Sequence, residues 1–233
     1  MKVVIGGANG LIGSELARAL RARGDEVVAL VRKPRAAGDV MWDGRSLPPG
    51  ALDRADAAVN LSGANIGARR WSEAWKKEIV DSRVDSTRAF VDGMRAGRAR
   101  PRVFVNASAV GAYGGRGDEE LTEESTRGAD FLAGVCKESE IQALQADALG
   151  VRTVLLRTGV VLARQGGALK QMLPPFKAFV GGPIGNGKQW FPWIHLADEV
   201  GLILWALDGG YRFRFPELSG ALSDLIVAPA RTA

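Results

Sequence analysis

The feature that most constrains this chain lies at its start. A short apolar run over residues 2–5 is followed at once by Gly7-Ala8-Asn9-Gly10-Leu11-Ile12-Gly13. Residues 11–23 then carry Ile12, Leu16 and Leu20 at helical spacing. A strand that turns through three glycines into a helix fixes a βα unit from the first residues. Glycine is needed there for the tight turn and for close approach of backbone to a pyrophosphate. The helix that follows offers unpaired N–H groups and a partial positive charge to that anion. This context points to dinucleotide binding; a tight βα turn without a ligand is the plainer alternative. Gly7, Asn9, Gly10, Leu11, Ile12 and Gly13 are the expected pyrophosphate-side contacts.

The alternation continues along the chain. Strand-like runs cover residues 26–31, 57–61, 102–107 and 151–157, and helical patterns cover 71–94 and 130–148. On the longer helix Val80, Val84, Thr87, Val91 and Met94 share a face. Residues 41–49 read as turns. Strands alternating with helices predict an α/β fold, a Rossmann doubly wound parallel sheet. After Gly159 the pattern is broken by Gly166-Gly167, Pro174-Pro175, Gly181-Gly182-Pro183 and Gly185-Asn186-Gly187. That stretch is expected to be loops and small elements over the sheet's carboxyl edge, with helix returning over 195–207 and Asp198 as its cap. The expected division is a nucleotide-binding domain over 1–163 and a partial substrate-binding region over 164–233, with a poorly packed terminus over 220–233.

The second strand suggests which dinucleotide. Sites for NAD usually end this strand on an acid that takes the ribose 2′-hydroxyl. Here it ends Val31-Arg32-Lys33-Pro34-Arg35. Arg32 can stack on adenine and pair with a 2′-phosphate, assisted by Lys33 or Arg35. NADP, as NADPH, is therefore expected over NAD; a solvated basic loop is the alternative.

Composition narrows the function classes. The 233 residues are 46% hydrophobic with a formal net charge of +5, which excludes disorder. One cysteine, Cys136, excludes an internal disulfide framework, and a single histidine, His195, argues against a zinc site; no metal is expected. The positive charges are dispersed and accompany no nucleic-acid motif, so no nucleic acid is expected. Glycines interrupt the apolar start, and no stretch reaches the length of a membrane helix. A soluble cytoplasmic protein with a small-molecule substrate is expected, with a homodimer left open.

Several blocks resemble the extended short-chain dehydrogenase/reductases, in the atypical NAD(P)-dependent epimerase/dehydratase branch. Beside the glycine loop these are Asn60-Leu61-Ser62-Gly63-Ala64-Asn65, Arg69-Arg70-Trp71, Ser82-Arg83, Ser108-Ala109-Val110-Gly111-Ala112-Tyr113-Gly114 and Arg157-Thr158-Gly159. Gly187-Lys188-Gln189-Trp190 and Trp193-Ile194-His195-Leu196-Ala197-Asp198 follow in order. The resemblance implies that Leu61, Ser62, Gly63 and Ser108 line the cofactor site. It implies hydride transfer with a small carbonyl or sugar-like substrate, and it makes the C-terminal region short.

One element of that pattern is missing. Ordinary members carry Tyr-x-x-x-Lys, in which the lysine and the cofactor lower the tyrosine pKa. This chain has two tyrosines, and neither is followed by lysine at that spacing. If Glu140 is the acid that commonly follows the lysine by four, Leu132 and Cys136 stand in the Tyr and Lys places. Tyr113 then becomes a candidate proton donor or a pocket wall, and Ser108 a candidate catalytic hydroxyl. Cys136 is a thiol acid or a small buried residue. Trp190, Trp193 and His195 are candidate substrate contacts, with packing or a structural hydrogen bond as the alternatives. An NADP(H) sensor or interaction module without catalysis is the second functional expectation.

Overall fold

The computed structural model describes residues 1–97, 99–183 and 185–208. The chain forms two compact units, Met1–Arg157 and a second that begins at Thr158. The first is built around β1 (Lys2–Gly6), β2 (Glu26–Val31), β3 (Asp39–Met41), β4 (Ala57–Asn60), β5 (Val103–Ala109) and β6 (Arg152–Thr158). Their order across the sheet is β3-β2-β1-β4-β5-β6. The pairs from β3 to β5 are parallel, with Val4 opposite Val28 and Asn60 opposite Asn106. This is the doubly wound order, in which ligands gather beyond the carboxyl ends where the strand order reverses, between β1 and β4.

Three helices flank the sheet. In α1 (Leu11–Ala22) the buried residues Gly13, Leu16, Ala17 and Leu20 fall on one face. Gly24, at φ +88°, then turns the chain into β2. α2 (Glu73–Ala96) opens on Ser72, whose hydroxyl accepts the Trp75 N–H at 3.2 Å. Of the apolar face read from the sequence, Val84, Thr87, Val91 and Met94 are buried, joined by Ile79, Ser86 and Phe90. α3 (Phe131–Leu144) is capped by Asp130, which accepts the Ala133 N–H at 2.9 Å. Phe90 and Met94 of α2 and Ala143 of α3 pack with Val4, Leu30, Ala58 and Phe104 in one core cluster. Successive residues Val3, Val4 and Ile5 are all fully buried, as in a strand covered on both faces.

Expectation and structure part in four places. β3 falls where turns begin; its three residues are too few to show a period. α3 ends at Leu144, not 148, because Gln145 and Ala146 donate to carbonyls three residues back and tighten the end. In the second unit, α4 (Gly167–Lys177) crosses the stretch read as loops. Its Pro174 and Pro175 lie on an exposed helix surface, where unbonded carbonyls of the preceding turn reach water. Asp198 is the third residue of α5 (Leu196–Asp208) and is buried, so it does not hold the cap position. There the His195 ring caps instead: its Nδ1 accepts the Ala197 N–H at 3.0 Å.

The second unit also pairs β7 (Val160–Leu162) with β8 (Trp193–His195) in parallel. Leu162, Leu169 and Trp193 form its small core. The expectation for residues 220–233 lies outside the described residues. No helix among the described residues is long and apolar enough to cross a membrane.

Candidate functional site

A cleft of about 760 Å³ opens at the carboxyl ends of β1, β2 and β4. Its floor is the glycine loop. Gly7 sits at φ +76°, a backbone conformation that favours glycine. A Cβ on Gly13 would lie 2.4 Å from the Gly7 carbonyl oxygen, and one on Gly10 3.1 Å from it. α1 starts on Gly10 with no side-chain cap and no acid in its first turn, so Leu11 and Ile12 open a helix whose N–H groups are left for a ligand. Asn9 ties this loop to the next strand by donating from Nδ2 to the Lys33 carbonyl at 3.1 Å.

One wall is basic. Arg32, Lys33 and Arg35 follow β2 without an acid among them, and Arg45 reaches the cleft from the segment after β3. Arg45 lies 4.0 Å from Asp85 of α2. Trp42 also lines the cleft; it is buried edge-on against Phe90, with centroids 5.5 Å apart, and its Nε1 has no partner. The opposite wall is residues 61–64 after β4. Here the Ser62 hydroxyl is buried without a partner, while its backbone N–H donates to Asn60 Oδ1 at 3.1 Å. Gly7, Asn9, Gly10, Arg32, Lys33, Leu61, Ser62 and Gly63 thus meet in one cleft.

Behind this wall lies a polar network that the sequence reading missed. Asn60 Nδ2 donates to Asn106 Oδ1 at 3.0 Å and to the hydroxyls of Thr87 and Ser86 at 3.2 and 3.3 Å. Thr87 donates to Asn106 Oδ1 at 3.0 Å and lies 3.2 Å from the Ser139 hydroxyl. The network joins β4, β5, α2 and α3. Its sequence signal was an asparagine at the end of two apolar strand runs.

Ser108 and Tyr113 do not line this cleft. Both are held by one ion cluster. Glu140, fully buried on α3, accepts from Ser108 Oγ, from Arg157 Nε at 3.0 Å and from Arg127. Burial pushes the Glu140 carboxyl up, but Arg157, Ser108 and Arg127 together hold it below the ordinary carboxylate value. Arg157 also donates from Nη1 to the Tyr113 hydroxyl at 2.8 Å and lies 5.1 Å from the centre of its ring. Cys136 is buried beside Ala109, and burial pushes its thiol up, so it stays protonated at neutral pH. Lys137, one step along α3, is exposed.

In the second unit Trp190 is exposed, Trp193 packs on Leu162 and Leu169, and His195 is buried. Glu199, buried on α5, accepts from the Thr158 hydroxyl at 2.8 Å through Oε1, while its Oε2 has no partner. Burial pushes its carboxyl up to about 7. Because the folded state holds this proton better than the unfolded one, its stabilising effect is complete below about pH 4.5 and fades as pH rises through 7. Glu199→Gln is expected to gain roughly 1–2 kcal/mol relative to wild type between pH 5 and 8. Thermal unfolding across that range measures this, and parallel curves for the two proteins would rule it out. Among the described residues no cluster of His, Cys, Asp or Glu is placed to hold a metal ion.

A doubly wound sheet with a glycine-floored cleft at its switch point defines a Rossmann-type dinucleotide-binding fold. The comparisons narrow this. The chain belongs to the NAD dependent epimerase/dehydratase family, which it matches over residues 3–213. It is 40% identical over 234 residues to an epimerase family protein of Mycobacterium leprae, covering 99% of this chain and 74% of the relative. It is likewise 40% identical over 215 residues to human epimerase family protein SDR39U1, covering 91% and 72%. A crystal structure of human SDR39U1 (isoform 2) with NADPH superimposes with a TM-score of 0.80 at 39% identity, over 89% of this chain and 70% of that one. A nucleoside-diphosphate sugar epimerase from Corynebacterium glutamicum gives 0.77 at 38% identity, over 90% and 44%.

Proposed function

We propose that this chain binds NADP(H) and acts as an oxidoreductase or epimerase on a small carbonyl or sugar-like substrate. The observation that carries this reading is the cation set Arg32, Lys33 and Arg35 at the end of β2, where an acid would stand to take a ribose 2′-hydroxyl; the acids that line the cleft, Asp43, Glu78, Asp81 and Asp85, come from other segments. The donors present fit the cofactor. The absence of a Cβ at Gly13 lets α1 start tight against the Gly7 carbonyl and Ala8, which brings the helix N-terminus to the cleft floor, and the partnerless Ser62 hydroxyl is free to meet a ribose. Gly7, Gly10 and Gly13 would hold the pyrophosphate and Arg32 with Lys33 the 2′-phosphate. When bound, the dinucleotide supplies a hydride donor or acceptor. The NADPH in the human relative and the sugar-nucleotide name of the bacterial one support the same assignment. Residues 1–163 would hold the cofactor, and 164–233 would contribute Trp190, Trp193 and His195 to the substrate.

A second reading has its own observation. With Glu140 as the acid that follows the lysine by four, Leu132 and Cys136 would stand in the places of the usual tyrosine and lysine, and the Tyr113 hydroxyl is engaged by Arg157. A protein that kept the cofactor cleft and lost proton transfer would be an NADP(H) sensor. Titration with NADPH, followed by a screen of aldehydes, ketones and nucleotide sugars for oxidation of the bound cofactor, separates the two. Turnover supports the enzyme, and binding without turnover supports the sensor. Failure to bind NADPH removes both.

The preference for the 2′-phosphate has its own test. Arg32→Glu places a like charge at that phosphate and is expected to weaken NADPH binding roughly a hundredfold while leaving NADH unaffected or improved. An equal loss for both dinucleotides would show that Arg32 does not read the phosphate.

A further inference from the structure

Arg83 stands on α2 beneath the loop of residues 61–64. Its Nη1 donates to the carbonyls of Ala64 and Ile79, both at 3.1 Å. A Cβ on Gly63 would lie 3.0 Å from its Cζ, so the guanidinium supports the cleft wall directly. Other arginines of α2 are neutralised: Arg88 pairs with Asp85 and Arg95 with Asp92. The residues one turn from Arg83 are Ile79, Val80, Ser86 and Thr87, none of them acidic. Among the described residues two neutral carbonyls are its acceptors, and no carboxylate lies within ion-pair distance. Burial draws its pKa down, yet a guanidinium remains charged at any working pH. On α3 the ionisable group in its electrostatic reach is Cys136, a neutral thiol. Arg83 therefore places behind the cleft wall a positive charge that has no ion-pair partner of its own and that water screens poorly; of the acids of α2 that line the cleft, Asp81 pairs with Lys77 and Asp85 with Arg88, and Glu78 lies more than one turn away.

The strand order says which part of a dinucleotide meets this charge. The cations at the end of β2 take the 2′-phosphate end, and the glycine loop after β1 takes the pyrophosphate. The other half must then run on across β4, over residues 61–64. A cation below that half treats the two redox states differently. The reduced nicotinamide ring is neutral, and the oxidised ring carries a positive charge.

We infer that Arg83 sets the redox preference of the bound cofactor, its charge under the β4 loop favouring NADPH over NADP⁺. This rests on the cofactor assignment made above. Arg83 acts here through the field in the cleft and as a support for the loop; it is a positioning residue and transfers no proton.

The experiment measures dissociation constants of NADPH, NADP⁺ and 2′,5′-ADP for wild type, Arg83→Gln and Arg83→Lys, with circular dichroism to verify folding. Wild type should bind NADPH about five- to tenfold more tightly than NADP⁺. R83Q should bring that ratio close to one and leave 2′,5′-ADP, which lacks the nicotinamide half, unchanged. R83K keeps the charge and should keep the ratio within about twofold of wild type. Equal weakening of all three ligands by R83Q would mean a purely structural role and overturn the inference. So would a wild-type ratio near one, a measurement that stands even if R83Q does not fold, and so would loss of the ratio in R83K. Failure of wild type to bind 2′,5′-ADP or either dinucleotide would instead strike down the cofactor assignment itself, and the inference with it.

Discussion

Gly13→Ala is expected to abolish NADPH binding and to destabilise the fold by roughly 1–3 kcal/mol. The new methyl would lie 2.4 Å from the Gly7 carbonyl oxygen and 2.9 Å from Ala8 Cα. Both neighbours are backbone, so no side-chain rotation relieves the overlap. Either α1 withdraws from the loop or the loop flattens into the cleft, and each displaces the N–H groups aimed at the pyrophosphate. Gly24→Ala is the control. Gly24 also has positive φ, at +88°, but nothing stands within 4 Å of its added Cβ, and it lies at the far end of α1. That variant should lose about 1–2 kcal/mol from backbone strain alone and keep its affinity for NADPH. Fluorescence titration and denaturant unfolding of both proteins decide the matter. Retained NADPH affinity in Gly13→Ala would show that the glycine loop is not the binding floor.

The second large effect is expected at Glu140. Glu140→Gln keeps the shape of the side chain and removes its charge, which leaves Arg157 and Arg127 facing a neutral amide in a buried site. Breaking such a cluster from one side costs about 3–5 kcal/mol near neutral pH. The pH dependence gives a sharper signature. The folded protein holds this carboxyl below its ordinary value, so its stabilising charge is fully present above about pH 4.5 and is lost as pH falls through the lower folded value. Wild type and Glu140→Gln should therefore differ most at pH 6–7 and converge in acid. Urea unfolding at pH 7, 5 and 3.5 measures this. A difference of the same size at every pH would mean that shape, and not ionisation, makes Glu140 important. The same variant releases Arg157, so the Tyr113 hydroxyl loses the fixed donor that now holds it.

How much of this was legible beforehand follows from the range of each interaction. β1, α1, β2, β4, α2 and β5 were visible because the signals of a strand or helix repeat within a few residues. The glycine loop was visible for the same reason, as were Arg32 and Lys33 at a strand end. β3, β7 and β8 are three residues each, too short to show a period. α4 was hidden by Pro174 and Pro175, which lack the N–H a helix interior needs and so read as a helix end, although both stand inside the last turns of this exposed helix. The site beyond the loops depends on distant partners. Arg45 meets Asp85, and Asn60 meets Asn106, only because strand order brings them together. Glu140 was legible as a family position, whereas its hold on Ser108, Arg127 and Arg157 was not.

Trp42 has an optical consequence. Its ring lies in the cleft wall, shielded from water and fixed against Phe90, so its emission should be blue-shifted and sensitive to whatever enters beside it. Tryptophan emission overlaps the absorption of reduced nicotinamide and not that of the oxidised form. With the other five tryptophans replaced by phenylalanine, the cleft would carry its own spectroscopic reporter, able to follow cofactor occupancy and oxidation without an added label.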